Sequence, residues 1–336
     1  MSSVEPSPRK RQRLEYTRVE TDPSTCPPQQ HEKHWYDDGS VVLHVEDTLF
    51  RVHRSILAKH SEIFRDAFAL PAPVEAEEHD GFPLVRLRGD RIQGWNELLD
   101  ALYDSFTYFD TLNSLDLDAK LTAAMSLLRV STKYRIDYCR AKCLAILSQH
   151  FVSSPTYEPA AQLPSFGQAC DMVKMARETN AMSLLPCALL MVACAEDHSA
   201  IYSTDLPLFD KISVYHARLE LIRLQRECMF PFVQNIWRPN RTCERNYSGT
   251  VCAALLQDES SRYAAAPEAM YFFVDDASFW PTDKTRAKPP CKSCRAIVLR
   301  ELAQGRQKIW EQLPELFHLG KNWDELRQMQ DAESGC

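Results

Sequence analysis

Between residues 41 and 68 the apolar pattern changes period, from two residues to about 3.6, and few folds accommodate that change. Val41, Leu43 and Val45 alternate with Val42, His44 and Glu46, the pattern of a half-buried strand. Glu46, Asp47 and Thr48 break the alternation, and Phe50 and Val52 resume it, which predicts a hairpin. Leu57, His60, Phe64, Ala67 and Phe68 then fall at helical spacing, until Pro71 and Pro73 close the segment. A third short strand is expected over Leu84 to Leu87, and a helix carrying Ile92, Trp95, Leu98, Leu99 and Leu102 follows. A small sheet with one apolar face must cover it with those helices, so the fold class is α+β.

Several function classes drop out early. The chain has nine glycines in 336 residues, and no G-x-G-x-x-G or G-x-S-x-G occurs. Gly89 and Gly94 have the spacing of a phosphate loop, but Trp95 and Asn96 follow them where Lys and Ser or Thr are needed. Lys and Arg total 39 against 46 Asp and Glu, a net charge of −7, which opposes non-specific nucleic-acid binding. The most apolar run, Ala181 to Ala195, is interrupted by Ser183 and Pro186 and falls short of the about 20 residues a membrane span needs. The first twenty residues hold no apolar run, so no secretory signal is expected and the twelve cysteines are expected to be reduced, in the cytoplasm or nucleus. His31-Glu32-Lys33-His34 is one residue short of H-E-x-x-H, whose histidines at i and i+4 converge on one metal, and it lies at the edge of the tail, so it is discarded.

Residues 1–30 are proline-rich and read as a disordered tail, with order starting at Trp35. The basic run Pro8 to Arg13 within the tail reads either as an import signal or as a solvated charge cluster. Two helices are expected over 111–150, through Leu121, Ala124, Leu128 and Ser131 and through Cys139, Cys143, Ile146 and Leu147. A looser link near 153–163 makes 31–150 read as a separable unit. Residues 151–230 read as helical, with a core stripe at Val214, Ala217, Leu221, Leu224 and Cys228. Residues 231–336 read as an irregular cysteine-containing segment and a last helix through Val298, Leu302, Ile309 and Leu313, ended by Pro314.

The run Val41-x-Leu43-x-Val45, Phe50-x-Val52-His53-Arg54, Leu57-x-x-x-Ser61-x-x-Phe64-x-x-x-Phe68 resembles the BTB/POZ domain, and Leu98-Leu99-x-Ala101-x-Tyr103 is similar to a later helix of that family. The resemblance covers about residues 35 to 110, which places a BTB/POZ domain at 31–110, and the chain as a whole is similar to fungal BTB-domain proteins with a helical C-terminal extension. It implies an N-terminal BTB/POZ α/β module followed by a mostly α-helical region, a protein-interaction role and no catalytic site. Many members pair an Asp at the start of the first strand with the Arg aligned to Arg54; here Ser40 stands there, with Asp37 and Asp38 just upstream. His53 is expected to be a core-edge histidine held by backbone groups. Trp35 and Tyr36, with His53 and Arg54, are the interaction candidates, and the short segment ahead of the first strand implies a monomer or weak homodimer.

Cys291-Lys292-Ser293-Cys294 is half of a tetrahedral zinc site. Cys243 and Cys252, eight residues apart in between, are candidates for the other half, with Cys228, His216 and His318 as substitutes. Three readings stay open: a closed structural zinc, inert thiols, and a redox pair. No other cofactor is expected.

Together these readings describe a non-enzymatic adaptor with protein partners, no direct nucleic-acid contact and no membrane span. Two narrower versions are a cullin-type ubiquitin-ligase receptor and a nuclear transcription cofactor. The family's cullin-binding members carry an apolar-x-Glu triplet after the helix near Phe68, which only Ala76-Glu77-Glu78 approaches.

Overall fold

The computed structural model describes residues 27–71, 77–155, 162–230, 243–244, 252, 272–273 and 291–332. The tail up to residue 26, its basic run, and most of 231–290 lie outside the described residues.

The sheet has the order β1-β3-β2-β5-β4, with β1 Gln29–Trp35, β2 Val41–Val45, β3 Thr48–Val52, β4 Glu78–His79 and β5 Phe82–Arg86. β2 and β3 form the expected antiparallel hairpin, Val41 opposite Val52 and Val45 opposite Thr48. Glu46 makes the turn with φ 53°, a left-handed conformation uncommon outside glycine. β5 runs parallel to β2. The centre of the sheet is buried on both faces rather than one: Val42 is as inaccessible as Val41 and Leu43. Arg51, opposite Val42, lays its guanidinium 3.8 Å over the Phe82 ring and shields that second face.

β1 corrects the expected start of order, since Gln29 and Gln30 already pair with Thr48 and Leu49 in parallel. It has no alternating apolar pattern because it is an edge strand, exposed at most positions, with only His34 buried.

The helices of the module are α1 Arg54–His60, α2 Glu62–Ala69, α3 Ile92–Tyr103, α4 Ser105–Ser114, α5 Leu117–Lys133 and α6 Asp137–Leu147. Ser61 separates α1 from α2: its Oγ accepts the Phe64 N–H and donates to the Tyr134 carbonyl. Trp95, Leu98 and Leu99 of α3 are fully buried. Gly94 lets α3 approach α5, because a Cβ there would meet Val130 Cγ2 at 2.5 Å; that is its role, not phosphate binding. The buried Asp90 carboxylate accepts hydrogen bonds from Trp95 Nε1, Tyr134 Oη and Lys133 Nζ, tying the start of α3 to the end of α5.

Beyond residue 162 come α7 Phe166–Glu178, α8 Leu185–Ala193, α9 His198–Ser203 and α10 Leu208–Leu224, then a π-helical turn Gln225–Met229. α7 starts with a capping box, Ser165 and Gln168 each bonding the other's backbone N–H. Two long helices follow the cysteine segment, α11 Lys292–Leu316 and α12 Trp323–Ala332. The predicted stop at Pro314 is corrected: α11 runs on to Leu316. Proline removes the N–H that would bond the carbonyl four residues back. The indole N–H of Trp323 takes that carbonyl, on Trp310, at 2.9 Å.

The hydrophobic core is one cluster, from Val41 in the sheet through α5 and α7 to Leu326 in α12. Polar ties cross the same boundary near residue 151. Arg140 donates to the Thr179 carbonyl at 2.9 Å, and the Gln168 amide donates to Asp118 at 2.8 Å. No helix among the described residues is long and apolar enough to cross a membrane.

Candidate functional site

Two places carry the residues singled out by the sequence. The first lies where β1, the start of α1 and the end of α3 meet. The Tyr103 hydroxyl accepts the backbone N–H of His53 at 3.0 Å and bonds the His53 ring at Nδ1, 2.8 Å away. His53 Nε2 faces Asp38 at 3.1 Å. One assignment satisfies all three groups: Tyr103 gives its proton to Nδ1, and Nε2–H donates to Asp38. Side chains therefore hold His53, where backbone groups were expected. The imidazole bond holds the Asp38 carboxyl below its usual range, and burial raises the Tyr103 phenol to about 12.

Among the described residues, Arg54 meets no carboxylate. Its backbone N–H bonds Ser40 Oγ, its guanidinium donates to the Phe68 carbonyl at 3.0 Å, and the group lies over the Phe68 ring. Serine at position 40 thus caps α1 and leaves the nearby acid, Asp38, to His53. The described residues form no charged pocket around Arg54.

The expected apolar anchors are already engaged. Tyr36 stacks on Tyr103 with centroids 4.5 Å apart, and its hydroxyl approaches His34 Nδ1 at 3.4 Å. Trp35 meets His79 edge-on. Both are half-buried. The sequence reading missed His34, whose buried ring donates from Nε2 to Asp100 at 2.7 Å. Desolvation by burial lowers its pKa, outweighing the pull of Asp100. An i, i+3 pattern of polar residues in an edge strand gives no signal for such a contact.

The second place is the cysteine cluster. Cys243, Cys252, Cys291 and Cys294 bring all four sulfurs within 4.8 Å of one another, with Cys243 and Cys291 at 3.9 Å. Cys252, Cys291 and Cys294 are buried and Cys243 lies at the rim. Cys291 is the N-cap residue of α11, and its backbone N–H points at Cys252 Sγ. Burial works to raise the Cys291 thiol, but hydrogen bonds from the Cys294 and Glu244 backbone and from neighbouring thiols outweigh it and bring it to about 6. The proposed substitutes stand elsewhere. His216 and His318 face each other at 5.4 Å, and Cys228 lies in the π-helical turn. The core thiols behave differently: burial pushes Cys139, Cys187 and Cys194 up to about 12, as inert hydrophobes.

A surface feature also escaped the sequence reading. α10 buries Val214, Ala217, Leu221 and Leu224, as expected, yet Leu208, Ile212 and Leu219 on its other side are 73, 59 and 71% exposed. Phe209 of α10 and Tyr202 of α9 are also exposed. The signal of the outer face of α10 was a second row, at 208, 212 and 219, interleaved with the first.

Residues 29–151 match the family model of the BTB/POZ domain. No curated protein matches the chain. The match runs through the helices at 111–150 that the sequence reading set apart as an extension. With the β2–β3 hairpin, the α1–α2 pair that follows it and Tyr103 bonded to His53, this match identifies residues 29–151 as a BTB/POZ domain, a protein-interaction module carried at the N-terminal side of a helical region.

Proposed function

We propose that this protein is a non-enzymatic adaptor with two contact surfaces, its BTB/POZ domain and the outer face of α10. The observation that carries the reading is the two-faced α10. Contiguous exposed apolar surface of this kind marks sites of protein association, and Leu208, Ile212 and Leu219 sit at the spacing that receives an apolar helix or groove. The charged and histidine side chains of the domain's first site are paired to each other, and no nucleophile–base pair accompanies them among the described residues. We place the chain in the cytoplasm or nucleus, where its free thiols stay reduced, and without direct nucleic-acid contact, in keeping with its net charge of −7.

The test compares the full chain with a Leu208→Asp, Ile212→Asp, Leu219→Asp variant. Both are captured from cells after crosslinking, and partners are quantified. An adaptor loses one set of partners in the variant and keeps another. Identical partner sets would remove α10 as a contact surface, and the loss of every partner by a folded variant would remove the domain as a separate one. Recovery of a cullin or of a corepressor in the retained set distinguishes the two narrower versions. In the cullin-linked segment, Glu77 is bound to Arg86 at 2.6 Å and Glu78 is in β4, while Ala76 lies outside the described residues.

A further inference from the structure

We infer that Cys243, Cys252, Cys291 and Cys294 hold one zinc ion as four thiolates. A zinc–thiolate bond of about 2.3 Å sets the edges of a tetrahedron at about 3.8 Å. The Cys243–Cys291 separation of 3.9 Å is that edge, and every other pair lies within 4.8 Å. A disulfide, at about 2.05 Å, is a different geometry and would take two sulfurs, not four.

Burial argues the same way. Cys139, Cys143, Cys170 and Cys187 are scattered among the aliphatic side chains of the main core, as inert thiols are. Cys194 and Cys228 pack against that core, and the other four described cysteines converge on one point. Among the described residues, the buried cluster they form contains no aliphatic or aromatic residue. Four thiols alone offer too little apolar surface to hold a chain segment, whereas a bound metal contributes folding free energy directly. A redox pair would need Cys291 and Cys294 but leaves the placement of Cys243 and Cys252 without a cause.

Electrostatics favour the same occupant. Zn²⁺ with four thiolates carries a net charge of about −2, counting one negative charge per sulfur. Cys291 caps α11 and Cys294 lies in its first turn, which holds no acidic residue and no side-chain cap. The thiolates supply the negative charge that a helix N-terminus favours. Four protein ligands leave no open position, so the centre is structural and not catalytic. It fixes the start of α11, whose Val298, Leu302, Ile309 and Leu313 are buried in the main core.

The test measures metal in the full chain, purified under reducing conditions without chelator or a metal-affinity tag. About one equivalent of zinc is expected, unchanged in Cys228→Ser and absent from Cys291→Ser, Cys294→Ser. Because the double variant can lose its fold, cobalt is exchanged into the wild-type chain as a second probe. Tetrahedral thiolate coordination then gives intense visible bands and a thiolate-to-cobalt charge-transfer band. A folded, metal-free wild-type chain would overturn the assignment. So would iron in place of zinc, zinc retained by the double variant, or cobalt spectra of an octahedral oxygen site.

Discussion

Gly305 of α11 lies against the backbone of Cys228, so close that a Cβ on it would stand 2.2 Å from the Cys228 carbonyl oxygen. The π-helical turn and α11 meet through this point. Helix propensity alone favours alanine over glycine by about 1 kcal/mol. Here a backbone carbonyl blocks the added carbon, and overpacking costs about 1–3 kcal/mol. Gly305→Ala is therefore expected to lower stability despite its better propensity. Gly167→Ala, where a Cβ meets only Ser165 Oγ at 4.0 Å, is expected to be neutral or stabilising by up to about 1 kcal/mol. Urea midpoints of the two variants decide the signs; a stabilised Gly305→Ala would mean the helices can separate at no cost.

The Asp90 carboxylate offers a sharper contrast. Asp90→Ala leaves the buried Tyr134 hydroxyl and Trp95 indole without their acceptor, and each buried donor left unsatisfied costs about 1–3 kcal/mol. Lys133→Ala removes the third partner, but that side chain is 44% exposed, so its loss is expected to cost about 0–1 kcal/mol. Equal effects of the two substitutions, measured by chemical denaturation, would place the weight on the ion pair instead.

Acid should destabilise the fold well above the carboxylate range. Burial lowers the pKa of His34, His31, His44, His60 and His150 below the ordinary 6.5. The unfolded chain takes up these protons first as pH falls, so stability is full above about pH 6.5 and declines below it. Denaturation midpoints at about pH 7.5, 6.5 and 5.5 are expected to fall in that order, and His34→Gln should flatten the decline. A midpoint that rises on acidification contradicts the sign.

Self-association should be weak. Tyr36 and Trp35 spend much of their apolar surface on Tyr103 and His79, while a stable obligate dimer buries more than about 2,000 Å². Light scattering across micromolar concentrations is expected to give one chain, or a mass that rises with concentration. A two-chain mass that persists at the lowest concentration and survives Trp35→Ala with Tyr36→Ala would show pairing through another surface.

The parts of this fold that could be read in advance are those where one side of an element is apolar. Val41 to Val52 announced the hairpin, and Val214 to Leu224 the core row of α10. The C-x-x-C at 291 and 294 pointed to Cys243 and Cys252, and the fold brings those four together. What escaped was held by other means. β1 is held by backbone pairing and by polar and ring contacts such as that of His34 with Asp100, so its side chains carry no apolar period. The pairing of His53 with Asp38 depends on a turn that sequence spacing does not describe. α11 passes Pro314 because Trp323, nine residues further on, fills the gap in its hydrogen bonding.

Five residues, Tyr36 to Ser40, join β1 to β2. On so short a tether, β1 meets β3 at an effective concentration of the millimolar order. A strand offered by a second molecule makes the same hydrogen bonds but arrives from solution, at about micromolar concentration. The tethered strand wins by about a thousandfold, or about 4 kcal/mol. The groove beside β3 is thus filled before another copy can reach it, and recognition by other proteins falls to surfaces that the chain does not occupy with itself.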